Sequence, residues 1–562
     1  MNLSLLLLSL SLLAVISISP VPIALSAEVA GEAAAASKGR VFAVELELQA
    51  DVEQLSDAEL DNLALQGAGD LSLEMIGPVA NFRDVYLFRE KGVIDSGHPR
   101  RMEDRLQSHD KVKWAEKQVL RSRHKRDSEV TLSFADPLYP QQWHLQTLNL
   151  LPVWEQGIAG RGVVVSMVDD GIDYNHEDLA PQYLADGSYD WNDNDENPLP
   201  RLAEDIHGTR CAGEIVAATN SVCGIGVAYE AKITASRILS APISDAVEAS
   251  ALSYKNQLNH IYSNSWGPWD DGATVEAPGP LAQRAFREGV AKGRDGRGSI
   301  FVFAAGNGGQ NDNCNYDGYA NSIYTIAIGA VGRDGVYPSY AEPCSAHLAV
   351  VPSSNTRDGI FTDNIHDGCT GRHGGTSAAA PLAAGIIALA LQVREELTWR
   401  DVQWLVIELA EKVDPGIRDW KMNGAGYHVH HMYGFGLLDA SLLVEKARNW
   451  ELVPPQKKIT IYSRDPGAEV YFEVDGVITL EHVTVTLSTV SSERGAAEFE
   501  LISPAGTASL LATRRPRDTT REGLSGWTFV TVHNWGEESA GRWTLRARNA
   551  VVTSSSLSLY GF

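Results

Sequence analysis

The sequence predicts an α/β protein whose largest part is a parallel sheet covered by helices on both faces. Two observations carry this. Apolar runs of strand length at 162–168, 299–305 and 324–329 are hydrophobic throughout rather than alternating, as strands buried on both faces are. Helical patterns at 281–291 and 398–410 alternate with such runs, the arrangement that builds parallel sheets. The pattern occupies residues 127–450 and closes at Tyr433-Gly434-Phe435-Gly436.

At 562 residues the chain is too long for one core. Residues 1–26 read as a signal peptide: an apolar run from Leu5 to Ile18, then Pro20 and the small-residue region Ala24-Leu25-Ser26-Ala27. No Lys or Arg precedes the run, and an uncleaved anchor is the alternative reading. No other stretch is expected to span a membrane. Residues 27–126 read as a small α/β unit, with a strand pattern at 41–46 and a helical one at 57–65. It ends in Arg121-Ser122-Arg123-His124-Lys125-Arg126, a basic cluster between a compact unit and a linker, where a chain is open to cleavage. After Pro454-Pro455, residues 454–562 change to short alternating strands, such as 482–487 and 543–547. Turn residues such as Ser503-Pro504-Ala505-Gly506 separate them, and an antiparallel β-sandwich of jelly-roll type is expected.

With 72 acidic and 47 basic residues the net charge is −25, most of the surplus lying beyond residue 126. That balance argues against nucleic acid and suits a basic ligand or calcium, although solubility alone accounts for charge as well. Five cysteines without a CxxC do not read as a zinc site; an odd number outside the cytosol suggests pairs plus one free thiol.

The chemistry gathers around Gly374-Gly375-Thr376-Ser377-Ala378-Ala379-Ala380-Pro381. Two glycines permit a close turn, and Ser377 follows at a helix start, where the dipole and a free N–H favour a developing anion. Three other segments answer it. The run 164–168 leads into Asp169, His207 begins a helical stretch, and the run at 299–305 leads into Gly306-Asn307. Ser377 would attack a carbonyl, His207 would carry its proton, Asp169 would orient the imidazole, and Asn307 with the Ser377 N–H would hold the oxyanion. Singly, each has a plain reading as turn, cap or loop amide; together, in the order Asp, His, Ser, they form a constellation.

These residues resemble the subtilisin superfamily, and Val168-Asp169-Asp170-Gly171, His207-Gly208-Thr209-Arg210-Cys211-Ala212-Gly213-Glu214, Ser265-Trp266-Gly267-Pro268, Asp270-Asp271-Gly272, Asn315-Tyr316-Asp317-Gly318-Tyr319 and His373-Gly374-Gly375-Thr376-Ser377 are similar to the kexin/furin-like proprotein convertases, closest to the fungal kexin type. Residues 482–486, 501–506 and 527–529 resemble that group's P domain. The resemblance implies an inhibitory prodomain at 27–126, a catalytic domain at 127–450 and a P domain at 454–562. It implies a calcium-dependent serine endopeptidase that processes secretory proproteins after paired basic residues, in the Golgi lumen or secreted. The partners implied are dibasic proproteins and the chain's own prodomain, cut at Lys125-Arg126; no membrane anchor is expected after the P domain in this chain. A guanidinium needs carboxylates in place of water. By resemblance Asp270 and Asp317 seat the residue before the cut, Asp170 with Glu204 or Asp205 the next, and Glu248, Glu276 and Tyr319 the fourth. Pro242 stands where furin-like chains carry an acid, Glu276 replaces a shorter Asp, and bulky Trp269 precedes Asp270. Calcium would bind Asp136, Asp178, Asn220, Val222 and Gly224; a second ion Asp270, Asp312 and Glu342; a third Asp190 and Asp195, in a loop that reads equally as merely solvated. The implied disulfides are Cys223–Cys369 and Cys314–Cys344, leaving Cys211 free. The alternatives are a broad-specificity secreted subtilisin, which the pocket acids argue against, and an inactive binding protein of the same fold, which covalent labelling of Ser377 would exclude.

Overall fold

The computed structural model describes residues 41–48, 55–79, 82–90, 102, 105–118, 132–414 and 416–562. The segment 1–26 and the Lys125-Arg126 cluster lie outside the described residues. The chain divides into two compact units, Met1–Arg123 and His124–Phe562.

In the first unit, β1 (Val41–Leu46), β2 (Leu73–Val79), β3 (Phe82–Glu90) and β4 (Val112–Lys117) form an antiparallel sheet in the order β2-β3-β1-β4. Helix α1 (Asp57–Asp70) shares a core with it, in which Leu60, Ala64 and Ala68 meet Phe42, Val44 and Phe88. The helix starts where Ser56 N donates to Glu59 Oε2 at 2.8 Å, a capping-box contact. It outruns the expected 57–65 because buried Gly67 and Ala68 continue its small packing face despite the poor helix propensity of glycine.

The second unit is built on seven strands: β5 (Val164–Asp169), β6 (Tyr189–Asp190), β7 (Lys232–Arg237), β8 (Ile261–Asn264), β9 (Ile300–Ala304), β10 (Thr325–Val331) and β11 (His347–Pro352). They pair in parallel in the order β11-β10-β9-β8-β5-β7-β6. Strand β9 shows why its sequence does not alternate. Ile300, Val302 and Ala304 join one core and Phe301 and Phe303 another, so both faces are dry. Helix α2 (His207–Val216) follows β6, and α3 (Pro280–Lys292) covers the phenylalanine face. The opposite face holds α4 (Thr376–Val393), entered from the hairpin β12 (Ile360–Asn364) and β13 (Gly368–His373) and followed by α5 (Trp399–Leu409). Helix α4 is long and apolar enough to cross a membrane, contrary to the expectation that no stretch after the first is, but most of its residues are buried in this core.

A small hairpin, β14 (Lys421–Met422) and β15 (His428–Val429), precedes the C-terminal part. That part is an antiparallel sandwich of two four-stranded sheets. One pairs β16 (Lys457–Ser463), β23 (Ala550–Gly561), β18 (Leu480–Ser491) and β21 (Trp527–Thr531). The other pairs β17 (Glu469–Val474), β22 (Gly541–Arg548), β19 (Glu498–Ile502) and β20 (Ala508–Ala512). Alternate residues, Val483, Val485 and Leu487 from one sheet and Phe472, Phe499 and Trp543 from the other, fill the space between. The sandwich is docked on the parallel sheet by buried polar contacts. Arg400 Nη2 lies 2.6 Å from Glu481 Oε1, and Asn315 Nδ2 donates to Leu511 O at 2.8 Å.

Candidate active site

From β5 the chain runs to the edge strand β6 on one side, returns to β7 beside β5, then crosses to β8 and the rest on the other. Loops leaving the carboxyl ends of strands on either side of such a reversal open a crevice. Asp169 ends β5, Ser265 follows β8, and Gly306-Asn307 follow β9. Ser377 enters from the other direction, as the second residue of α4. Gly375 caps that helix with φ +78, a conformation that favours glycine, and a Cβ there would lie 3.1 Å from Asn307 Oδ1.

His207 Nδ1 lies 2.9 Å and 3.0 Å from the two oxygens of buried Asp169. Burial alone would push the imidazole down; the Asp169 carboxylate reverses that and holds it well above its ordinary value. Cys211, one turn along α2, is the free cysteine. Its Sγ sits 3.9 Å from His207 Nδ1 and 3.6 Å from Ser377 O, and burial pushes its thiol up to about 11, so it stays neutral. The expected hydrogen bond between Ser377 and His207 is not formed here. The Ser377 hydroxyl turns to Ser265 O at 3.4 Å, while Ser265 Oγ donates to Ser377 O at 2.9 Å. Nucleophile–base bonds are commonly long without substrate and tighten on binding. Asn307 Oδ1 accepts from Thr376 N at 2.8 Å and Thr376 Oγ1 at 3.1 Å, which orients the amide and leaves Nδ2 without a protein partner among the described residues.

The expected substrate acids fall into two groups. Asp270 and Asp317 stay near the crevice. Asp270 Oδ2 accepts from Asn307 N at 2.7 Å, and Asp317 Oδ1 accepts from Tyr319 N at 2.7 Å. Burial, with the Asp270 charge, pushes Asp317 up to about 7. A Cβ at Gly267 would lie 2.7 Å from Asp317 Oδ2, so glycine leaves this wall open. Tyr319 donates its hydroxyl to Glu248, and Glu276 is exposed beside the bridge it makes with Asp317. Trp269 is bare, 83% exposed. Asp170 also serves as a helix cap: its oxygens accept from His207 N at 3.0 Å and Gly208 N at 2.7 Å, and burial with the Asp169 charge pushes it up to about 7. Asp205 is buried under Arg237, which leaves Glu204 as the exposed acid of that pair.

Two of the expected calcium sets fit a cation. Asp136 Oδ2 and Asp178 Oδ2 are buried without hydrogen-bond partners, while their other oxygens hold Asn220 N and Nδ2 at the start of the 220–224 loop. Burial raises both carboxyls. Asp363 on β12, which the sequence reading missed, adds two unpartnered buried oxygens there, and burial with the Asp178 charge raises it well above normal. Its only sequence signal is an acid inside an otherwise strand-like stretch. In the second set Asp312 Oδ2 accepts from Gly272 N at 2.7 Å and Glu342 Oε1 from Gly308 N at 2.8 Å. A Cβ at Gly306 would strike the Glu342 carboxylate, so that cradle requires glycine. Burial, then the Asp312 and Asp270 charges, push Glu342 well up. The third set does not form a cage. Asp190 Oδ2 is taken by Arg237 Nη1 at 2.9 Å and Asp195 Oδ2 by Arg201 Nη2 at 2.7 Å, so guanidinium groups occupy the loop. Disulfides join Cys223 to Cys369 and Cys314 to Cys344.

Comparison with known proteins follows the same lines. The Subtilase family profile matches residues 160–436, that of the Proprotein convertase P-domain 480–560, and that of the Peptidase S8 pro-domain 41–126. Proprotein convertase subtilisin/kexin type 7 of Mus musculus is 43% identical over 575 residues, covering 93% of this chain and 73% of that protein. The type 4 protein of Rattus norvegicus is 47% identical over 472 residues, covering 79% and 69%. Furin of Mus musculus is 45% identical over 516 residues, covering 85% of this chain, which spans 65% of furin's length. Among solved structures, a serine protease of Aeromonas sobria superposes with a TM-score of 0.72 at 21% identity, over 77% of this chain and 96% of that one, a likeness of fold.

Proposed function

This chain belongs to the subtilase family, in its proprotein-convertase branch, and on that premise we propose that it is a calcium-dependent serine endopeptidase that cuts secretory proproteins after paired basic residues. The observation that carries the specificity is the single hydrogen bond between Asn307 N and Asp270 Oδ2, which sets an acid beside the oxyanion amide. In this reading Asp270 and Asp317 replace the water shell of the substrate's guanidinium, with Glu204 beside the preceding residue and Glu248, Glu276 and Tyr319 further up the peptide.

Binding of that side chain sets the scissile carbonyl over Ser377. The Ser377 hydroxyl swings from Ser265 O toward His207 Nε2, and His207 takes its proton as Oγ attacks. Asp169, fixed on Nδ1, keeps the tautomer and stabilises the imidazolium. Charge gathering on the carbonyl oxygen is held by Asn307 Nδ2 and the Ser377 N–H. His207 then protonates the leaving amine, and the acyl-enzyme is hydrolysed by the same groups. Asp136, Asp178, Asn220 and the 222 and 224 carbonyls would hold one calcium ion, and Asp270, Asp312 and Glu342 a second. Bound there, calcium neutralises crowded carboxylates and stiffens the loops that bear them. Lys125-Arg126 is the expected first cut, releasing the 27–126 unit. Two disulfides suit an oxidising compartment, the secretory lumen or outside the cell.

The test is a pair of fluorogenic peptides, one ending in Lys-Arg and one in Leu, assayed with calcium and with chelator. A strong preference for Lys-Arg that chelation abolishes is expected; equal rates on both peptides would end the processing reading.

A further inference from the structure

We propose that Arg515, a residue of the C-terminal sandwich, is a positioning residue for the acidic pocket: it grips from behind the three segments that carry Asp270, Asp312 and Asp317. The inference rests on the proposed function and deepens it.

Arg515 lies in the loop between β20 and β21 and is fully buried. Its guanidinium carbon sits 3.6 Å from the centre of the Tyr316 ring, and Tyr316 immediately precedes Asp317. Nη1 donates to Thr274 O at 2.7 Å, on the loop that follows Asp270-Asp271. The same nitrogen lies 3.3 Å from Asp312 Oδ1. Nη2 is anchored within the sandwich by Asp518 Oδ2 at 2.7 Å. Arg494 completes the grip: its Nε binds Asp518 at 2.6 Å and its Nη2 donates to Ala273 O at 2.8 Å. A planar fork that stacks and donates in several directions performs this task; an ammonium group does not.

The electrostatics point the same way. Asp270, Asp312, Asp317 and Glu342 crowd together, and among the described residues no other Lys or Arg forms an ion pair with any of them. Arg515 therefore both fixes the geometry of the bed and offsets part of its self-repulsion, from a different domain. Through it, docking of the sandwich bears directly on the pocket rather than only on overall stability.

The test is calcium binding by full-length protein, measured calorimetrically without substrate, with the second site identified by its loss in Glu342→Gln. In Arg515→Met the affinity of that site is expected to fall by about 10–100-fold, the range for lost outer-shell partners of a metal site. The Asp136–Asp178 site should be unchanged. Arg400→Met, which loosens sandwich docking elsewhere, should lower the melting temperature without shifting the second site. Should Arg515→Met fail to fold, Tyr316→Leu removes the stacking face while leaving the Arg515 hydrogen bonds to Thr274 and Asp518 in place, and a weakening in the same direction is expected. Unchanged affinity in a folded variant would overturn the inference. So would tighter binding, which would mean that the guanidinium merely competes with the ion for Asp312. Wild-type protein that binds no calcium would remove the calcium reading itself, and this inference with it.

Discussion

Asn307 donates its backbone N–H to Asp270 Oδ2 at 2.7 Å, so the residue whose side-chain amide faces the crevice is tied to an acid of the pocket by one hydrogen bond. In the proposed reading, seating a substrate cation on Asp270 and holding charge on the carbonyl oxygen are thereby coupled. Asp270→Asn should therefore cost more than specificity. Loss of a charge-assisted contact costs about 1.5–3 kcal/mol, or roughly 10–150-fold in kcat/KM on Lys-Arg peptides. The rate on a Leu-ending peptide should fall as well, because the loop bearing Asn307 loses its tether. Steady-state kinetics on both peptides check this; an unchanged Leu rate would uncouple the two residues.

Asn307 itself is oriented by Thr376, whose N–H and hydroxyl both donate to its Oδ1. Its Nδ2 can then serve only the crevice side. Asn307→Ala should lower kcat by about 100–1,000-fold with KM little changed, since the donor acts on charge that exists only in the transition state. Labelling of Ser377 by an organophosphate, counted as moles per mole of protein, should remain complete and confirm that the site is intact.

The sequence was most legible where one residue's chemistry and one strand's periodicity agreed. Asp169 and Asn307 could be read because each follows a run buried on both faces, and Ser377 because Gly374-Gly375 mark a helix start. The sandwich was legible from alternation such as that of β18, whose inward residues Val483, Val485 and Leu487 are buried. What remained hidden was partner choice. Nothing in the sequence says that Asp170 also caps α2, or that Asp190 and Asp195 pair with Arg237 and Arg201. Those arginines lie distant or unmarked in the sequence, and composition does not tell a guanidinium from a metal ion. Asp363 and Arg515 were missed for a similar reason: each acts on residues more than a hundred positions away.

Calcium removal should destabilise the protein before it alters the catalytic side chains. At the first site Asp136, Asp178 and Asp363 are all raised chiefly by burial, so without a cation they are held partly protonated or repel one another. A ligand present at a hundred times its dissociation constant stabilises the native state by about 2.7 kcal/mol. Chelation should therefore lower the melting temperature by several degrees, and Asp363→Asn should reduce the calcium-induced shift if Asp363 shares that ion. Scanning calorimetry with and without chelator measures both; an equal shift in the variant would place Asp363 outside the site.

Acid should weaken the domain junction through histidines that have no partners. His347, from the catalytic part, and His533, from the sandwich, are buried, and His431, from the catalytic part, is half-buried with both ring nitrogens covered. Both ring nitrogens of His347 and His431 and Nε2 of His533 lack hydrogen bonds among the described residues. Burial depresses His347 to about 4 and His431 to about 3, and holds His533 well below its usual value. A folded-state pKa below the unfolded value of 6.5 gives stability that is full above pH 6.5 and is lost as pH falls from there toward the folded value. For His347 the gap amounts to about 3 kcal/mol in all. Buried carboxyls such as Asp170 and Asp317, raised to about 7, act with the opposite sign between about pH 4 and 7. The net curve therefore mixes both, and the difference between His347→Val and wild type isolates the imidazole. Between pH 6.5 and 5 the melting temperature of wild type should drop relative to that of His347→Val, by the equivalent of one proton. Parallel curves for the two proteins would show that His347 charges in place without opening the junction.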